Sequence, residues 1–177
     1  MQGRNHFDMK RKGFTLVELL IVIVVIGILS AMMMMSSTEA TTSAKVNNII
    51  SDMRNLKTAA LSFYADNFDN IVGNPNYSLK DAGVQDKIFA YLGKDSNRLD
   101  KGNYKVSNAA SNNGGDGSWW VVCNITGSAS EKALIKKKLA GRAKSLGLKG
   151  VANYDSKLST ATDFDATQHG AVVLKVR

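Results

Sequence analysis

The hydrophobic positions of this 177-residue chain are very unevenly distributed. Residues 19–35 carry no charge, and the apolar stretch from Phe14 to Met35 would span about 33 Å as an α-helix, enough to cross a bilayer core. Beyond it, apolar residues recur every three or four positions, which predicts an amphipathic continuation of the same helix. We predict one helix from about Phe14 to Asn67. Its expected core-facing positions are Ala44, Val46, Ile49, Ile50, Met53, Leu56, Ala60, Leu61, Phe63 and Tyr64.

The remaining residues predict short strands and helices. A loop over 67–83 precedes a short helix near Val84–Leu92, and a hairpin connection at 112–117 separates a strand over 103–107 from a stronger one, Trp119–Thr126. Residues 128–131 form a capping box for a helix that ends at Leu146, and Ala171–Arg177 suits a last strand. Inward positions of that helix are Ala133, Ile135, Leu139, Ala143 and Leu146. The expected fold class is α+β, a long helix packed on a small antiparallel sheet.

Residues 1–35 have three competing interpretations. A cleaved secretory signal needs small residues after its apolar core, and the four-methionine run ending at Met35 does not supply them. A plain transmembrane anchor fits the length, and the basic residues before it would keep the N-terminus in the cytoplasm. Neither interpretation explains Glu18, a carboxylate four residues into the apolar span, which is costly there unless paired. We expect its partner to be created chemically or supplied by another subunit.

The segment Lys12-Gly13-Phe14-Thr15-Leu16-Val17-Glu18 resembles the prepilin signature of type IV pilins and type II secretion pseudopilins. The resemblance implies that a prepilin peptidase cuts after Gly13 and that Phe14 is then N-methylated. It also implies that Glu18 faces the new amine of a neighbouring subunit during assembly. The basic cluster Lys10, Arg11 and Lys12 would belong to the removed leader. Cleavage thereby creates a cation at Phe14 that a low-dielectric setting attracts strongly to a carboxylate.

The same resemblance implies a type IV pilin-like fold divided at fixed places. We expect a leader over 1–13, a transmembrane and assembly half of the helix over 14–35, an amphipathic half over 36–67 and a globular head over 68–177. Many family members have a proline where this chain has Met35, whereas Gly27 matches the family's helix-weakening glycine. Unwinding of the helix near Gly27 in a filament is therefore left open.

The expected function is that of a structural subunit of a type IV pilus, serving adhesion, twitching motility or DNA uptake. A pseudopilin of a protein secretion system is one alternative, and a minor tip pilin that acts as an adhesin or DNA-binding module is another. Expected partners are other pilin subunits, the prepilin peptidase and an inner-membrane assembly platform. The expected location is a single-pass membrane precursor that later joins an extracellular pilus or a periplasmic pseudopilus.

Composition adds mainly exclusions. The net charge is +8; within the first thirteen residues four basic residues face one acidic residue, so the rest carries a mild +5. The single cysteine, Cys123, cannot form an intramolecular disulfide, and we expect it to be buried and inert. His169, the one histidine after Gly13, is expected to be structural. No nucleophile motif or phosphate loop is present, so we expect neither an enzyme nor a cofactor.

Three weaker candidates remain. Asp155, Asp163 and Asp165 offer oxygen ligands for calcium, although their spacing is not that of an EF-hand and solvated loop carboxylates are the favoured interpretation. Lysines and an arginine on the predicted 128–146 helix offer a DNA contact, against a favoured solvated face. These basic residues are Lys136, Lys137, Lys138, Arg142 and Lys144. Asn76 and Asn124 begin glycosylation triplets, which are common by chance.

Overall fold

The computed structural model describes residues 13–72, 77–79, 81–97, 99–108, 118–156, 158 and 161–177. They fall into two compact units, Met1–Ala40 and Thr41–Arg177, called here the N-terminal and C-terminal units. The expected domain boundaries after residues 13, 35 and 67 remain predictions, because the division into units tests a different property. The hairpin connection over 112–117 and leader residues 1–12 lie outside the described residues.

Helix α1 (Leu16–Asp66) is 51 residues long and has residues in both units. It begins two residues later than predicted and ends one residue earlier, and it runs unbroken through Gly27. In the C-terminal unit its inward side is the predicted apolar stripe, with Met53, Leu56 and Ala60 fully buried. Two predicted core positions were wrong, because Ala44 and Leu61 are exposed. Both lie at the margin of the stripe, where helical spacing alone does not decide which side chains are covered.

Two short helices follow α1. The loop prediction over 67–83 was partly wrong, because Phe68–Val72 forms helix α2 with Ile71 buried. Helix α3 spans Ala82–Ala90, two residues earlier than predicted, and buries Ile88 and Phe89. A five-residue stretch is too short to show helical periodicity, so α2 left no signal in the sequence.

The sheet is fully antiparallel and has five strands in the order β1-β2-β5-β3-β4. These strands are β1 (Tyr104–Asn108), β2 (Trp119–Asn124), β3 (Leu148–Val151), β4 (Thr162–Asp163) and β5 (Ala171–Lys175). The predicted strands at β1, β2 and β5 are confirmed, with β2 and β5 each two residues shorter than expected. Strands β3 and β4 were missed because one is four residues long with an internal glycine and the other has two polar residues.

The inner face of the sheet packs against α1 and against helix α4 (Ala129–Leu146). Alternate β2 residues Trp119, Val121 and Cys123 point into this core, as the period of two predicts. The opposite β2 face is also buried, since Trp120 and Val122 belong to a second apolar cluster with β5 and the segment after β3. The sheet is therefore covered on both sides at its centre, which explains why β2 reads as a continuous apolar run.

Helix α4 has the predicted ends. The Ser128 side chain accepts from the backbone N–H of Glu131 at 3.3 Å, and Gly147 ends the helix in the left-handed conformation with φ 66°. Ile135, Leu139 and Ala143 are buried and Leu146 packs against the core, as expected. Ala133 was wrongly placed, because it is exposed.

Candidate functional site: the start of α1

The first turn of α1 is closed by two side chains of the motif. The Glu18 Oε2 atom accepts hydrogen bonds from the Thr15 backbone N–H at 2.9 Å and from the Thr15 hydroxyl at 2.8 Å. In return, the Thr15 Oγ1 atom accepts from the Glu18 backbone N–H at 3.2 Å. This reciprocal pattern is a capping box, with Thr15 at the N-cap and Glu18 at the third helical position.

The capping box gives Glu18 an intrachain hydrogen-bond partner, whereas its expected pairing with an amine of another subunit stays a prediction. The carboxylate already has an intrachain partner, and its position in the first turn is favoured by the positive end of the helix dipole. Both bonds that it accepts end on Oε2, which leaves Oε1 without a hydrogen-bond partner among the described residues. The sequence contains the T-x-x-E spacing of a capping box at Thr15 and Glu18, so the sequence analysis missed an available signal for this cap.

Behind this turn, α1 presents an apolar surface that no described residue of the chain covers. The large apolar side chains from Phe14 to Leu29 are 48% to 84% exposed within the chain. This part of α1 is long and apolar enough to cross a membrane, by length and composition. An apolar surface of this extent requires lipid or protein against it.

Gly13 and Phe14 precede the helix, lie outside any helix or strand, and are both exposed. A side chain added at Gly13 would meet nothing within 4 Å, so the peptide bond after it is open on the glycine side. The leader residues Lys10, Arg11 and Lys12 lie outside the described residues, and their expected role stays a prediction. Cleavage after Gly13 would leave a new amine at Phe14, one residue before the N-cap.

Residues 8–34 match the family model described as a prokaryotic N-terminal methylation motif. The matched segment includes the start of α1 and resembles a prokaryotic N-terminal methylation signal. That signal is the prepilin-like signal of type IV pilins and pseudopilins. No curated protein and no solved structure matches the chain significantly.

Cys123 is buried, as predicted, and lies directly across from Tyr104 in the β1–β2 pairing. Burial raises the pKa of the thiol to about 12. Burial, with Cys123 and Asp52 nearby, also raises the pKa of the Tyr104 phenol, whose hydroxyl lies 3.4 Å from an Asp52 carboxylate oxygen. A thiol held in its neutral form is a poor nucleophile and a poor metal ligand.

His169 has a structural position. Its Nδ1 atom accepts from the backbone N–H of Asp165 at 2.9 Å, and its Nε2 atom lies 3.2 Å from the Thr162 hydroxyl. The ring packs against Gly150 of β3, where any side chain would overlap it. These contacts tie the loop before β5 to the edge of the sheet, so the residue's role in packing is confirmed.

The three candidate calcium ligands have separate local partners or positions. Asp155 forms an ion pair with Lys105 at 2.6 Å, and Asp163 lies exposed on β4. Hydrogen bonds from the Thr167 hydroxyl and backbone N–H lower the pKa of Asp165. Within the part of the chain that the structure describes, no three His, Cys, Asp or Glu side chains form a group suited to a metal ion.

The basic residues of α4 do not share one solvated face. Lys138 donates to the Ser43 hydroxyl at 2.7 Å, and Arg142 donates to the Asn47 side-chain oxygen at 2.7 Å. Both contacts join α4 to α1, and Arg142 is exposed, as are Lys137 and Lys144. A DNA-binding role for this helix stays a prediction.

The glycosylation candidates remain untested. Asn76 lies outside the described residues. Asn124 is half-buried at the end of β2, where it pairs with Ala171 of β5.

Gln85 is a residue that the sequence did not single out. Its side-chain oxygen accepts from the Val106 backbone N–H at 3.0 Å, and its amide donates to the Val106 and Leu79 carbonyls. Because β1 is an edge strand, these bonds replace those of a missing neighbouring strand. Nothing in the sequence pairs Gln85 with a residue 21 positions away.

Proposed function

We propose that the chain is a prepilin that becomes a structural subunit of a type IV pilus. A peptidase cuts after Gly13, Phe14 is N-methylated, and the mature subunits assemble through the apolar part of α1 into a helical filament. The combination that carries the proposal is the methylation motif over residues 8–34 followed by an uncovered apolar helix. No enzymatic reaction is part of it.

Before assembly, the apolar part of α1 lies in the inner membrane with the leader in the cytoplasm. Afterwards, the same surface is covered by the helices of other subunits, with the C-terminal units outside. Contacts of this kind join different surfaces of successive copies, so they generate a fibre rather than a closed ring. The pilus would be extracellular and would serve adhesion, motility or DNA uptake.

Glu18 is proposed to pair with the new amine of a neighbouring subunit. The free Oε1 atom supports this role, because the carboxylate can keep its bonds to Thr15 through Oε2 while it accepts a cation at Oε1. A charge-assisted bond in an apolar setting is stronger than one in water, and an unpaired carboxylate there is costly.

The first test is mass spectrometry of the chain extracted from its own membranes. We expect an N-terminus at Phe14 carrying one additional methyl group. A Gly13→Lys variant should retain the leader. The matched control is Gly83→Lys in the C-terminal unit, which should be processed normally, because a lysine at Gly27 would alter the membrane span. A wild-type chain that still begins at Met1, or that is cut beyond Met35, refutes the proposal.

Assembly is measured by the amount of sheared filament in the same cells. We expect Glu18→Gln to reduce it at least tenfold, whereas Glu39→Gln, a carboxylate change in the same helix outside the motif, should have little effect. Thr15→Val removes the capping hydroxyl and leaves the Glu18 charge in place. If capping were the whole role of Glu18, Thr15→Val and Glu18→Gln would have equal effects.

Abundance and location distinguish the alternatives. A major pilin should dominate sheared surface filaments, a tip module should be a scarce component of them, and a pseudopilin should stay in the periplasm. Microscopy of a deletion strain then shows whether filaments, secretion or only adhesion is lost.

A further inference from the structure

A polar groove of about 390 Å³ lies between α1 and α4 within the C-terminal unit. Its polar lining consists of Asn47, Ser51, Arg54 and Asn55 of α1 with Arg142 and Ser145 of α4, and its two other lining residues are apolar. Arg142 and Asn47, which both line it, are joined by a hydrogen bond of 2.7 Å. The groove thus places two guanidinium groups from different helices beside amides and hydroxyls.

The side chains that line this groove carry a net positive charge. No acidic residue lines it, and the Arg54 guanidinium has no hydrogen-bond or ion-pair partner among the described residues. Arg142 is oriented by a single bond of 2.7 Å from Nη1 to Asn47, so most of its five N–H donors remain available. Two guanidinium groups with unused donors match the planar geometry of an oxyanion, and of a carboxylate in particular.

We propose that the groove binds a carboxylate side chain of a second copy of this chain. The inference rests on the proposed filament function, in which the groove of one copy meets a different surface of the next. Charge complementarity supports a second copy as the occupant. Asp69 in α2 and Asp81 at the start of α3 are exposed and have no side-chain partner among the described residues, and Asp81 makes no capping bond.

The chemistry of the groove is tested first on the full chain in detergent, with inorganic phosphate as the probe. We expect phosphate to raise Tm above the value in chloride at equal ionic strength. Arg54→Gln should abolish that difference, whereas Lys57→Gln, one turn further along α1 and outside the groove, should retain it. An equal phosphate effect in wild type and Arg54→Gln overturns the site.

The source of the oxyanion is tested in cells by charge reversal. We expect Arg54→Glu to reduce the assembled fraction at least tenfold, and a second change in the same chain, Asp69→Arg or Asp81→Arg, to restore it. Unchanged assembly in Arg54→Glu, or a loss that neither change restores, overturns the assignment to a second copy. Groove-dependent retention of an oligonucleotide with normal assembly would assign the groove to nucleic-acid phosphate instead, which also overturns it.

Failure of the filament proposal is distinguishable from failure of this one. If the wild-type chain forms no assembled fraction, the proposed function is wrong, and the phosphate measurement in detergent still reports on the groove. If the wild-type chain assembles and the two arginines have no influence on assembly, only the groove assignment is wrong.

Discussion

The buried thiol of Cys123 permits a quantitative prediction about reactivity. Cys123 is 1% exposed in β2, an interior strand of the sheet, and faces the main core. Burial is the principal reason that its pKa rises from the model-peptide value of 9.0 to about 12. Since the thiolate is the species that attacks disulfide and maleimide reagents, the folded chain should react far more slowly than the unfolded chain.

The magnitude follows from that rise. At pH 8 the thiolate fraction of the folded chain is about a thousandfold smaller than that of an ordinary cysteine, because each pH unit is a factor of ten. Exclusion of the reagent by the covered sheet slows labelling further. The assay follows a chromogenic disulfide reagent on the full chain in detergent, with and without denaturant. A Ser62→Cys variant, placed on an exposed position of α1, should label at the unfolded rate in both conditions.

Native labelling of Cys123 within tenfold of the unfolded rate would refute this reasoning. That result would mean that β2 opens readily or that the thiol lies outside the core.

The burial of Cys123 also predicts how the stability of the chain depends on pH. In the unfolded chain the thiol ionises near pH 9, whereas in the folded chain it keeps its proton to about pH 12, so the unfolded state binds fewer protons between these values. Stability should therefore fall as pH rises from 9 towards 12, and less steeply in Cys123→Ala.

Two further substitutions test contacts that the sequence did not predict. Gly150→Ala should lower the free energy of unfolding by about 1–3 kcal/mol in a denaturant titration, because a methyl group there overlaps the His169 ring; Gly141→Ala, in open space on α4, should leave stability equal or higher. Gln85→Ala should cost about 1–3 kcal/mol, because it leaves the buried backbone groups of Val106 without partners.

Each of these has a distinct contradicting result. A Gly150→Ala chain as stable as the Gly141→Ala chain would mean that the His169 ring moves away at no cost. For Gln85, the control is Asp86→Ala, which removes an exposed ion pair with Lys101 and should change stability by less than about 1 kcal/mol. Equal effects of the two substitutions would show that the edge of β1 needs no side-chain partner.

The predicted parts of the fold are those with a local and repeated signal. Helix α1 shows helical spacing over many turns, β2 is rich in β-branched and aromatic residues, and Ser128 with Glu131 marks the start of α4 within four positions. Strands β3 and β4 have no such signal, since they become strands only by pairing with β5 and with each other. Their sequences are too short to bury a face without those neighbours.

The functional residues likewise divide into those that the sequence predicts and those that only the structure brings together. The methylation motif is contiguous in the chain, so its residues and their spacing can be recognised from the sequence alone. Contacts such as Arg142 to Asn47 join residues 95 positions apart, and no periodicity relates them. The sequence therefore predicted a basic α4 helix but not that Arg142 turns towards α1, which is what makes the groove beside Arg54.

The geometry of Glu18 also changes how the motif is understood physically. The sequence alone predicts an external cation for a glutamate inside an apolar span, yet Thr15 already satisfies one of its oxygens at the first turn of α1. The capping bonds fix the carboxylate beside the backbone where a cut after Gly13 would create an amine, and they leave Oε1 directed by a rigid helix rather than by a free side chain. A preorganised acceptor loses less conformational entropy when a partner binds than a mobile one does. Thr15 and Glu18 thus form one hydrogen-bonded unit, whose spacing sets the helix start and, in the proposed filament, the position of the carboxylate for pairing.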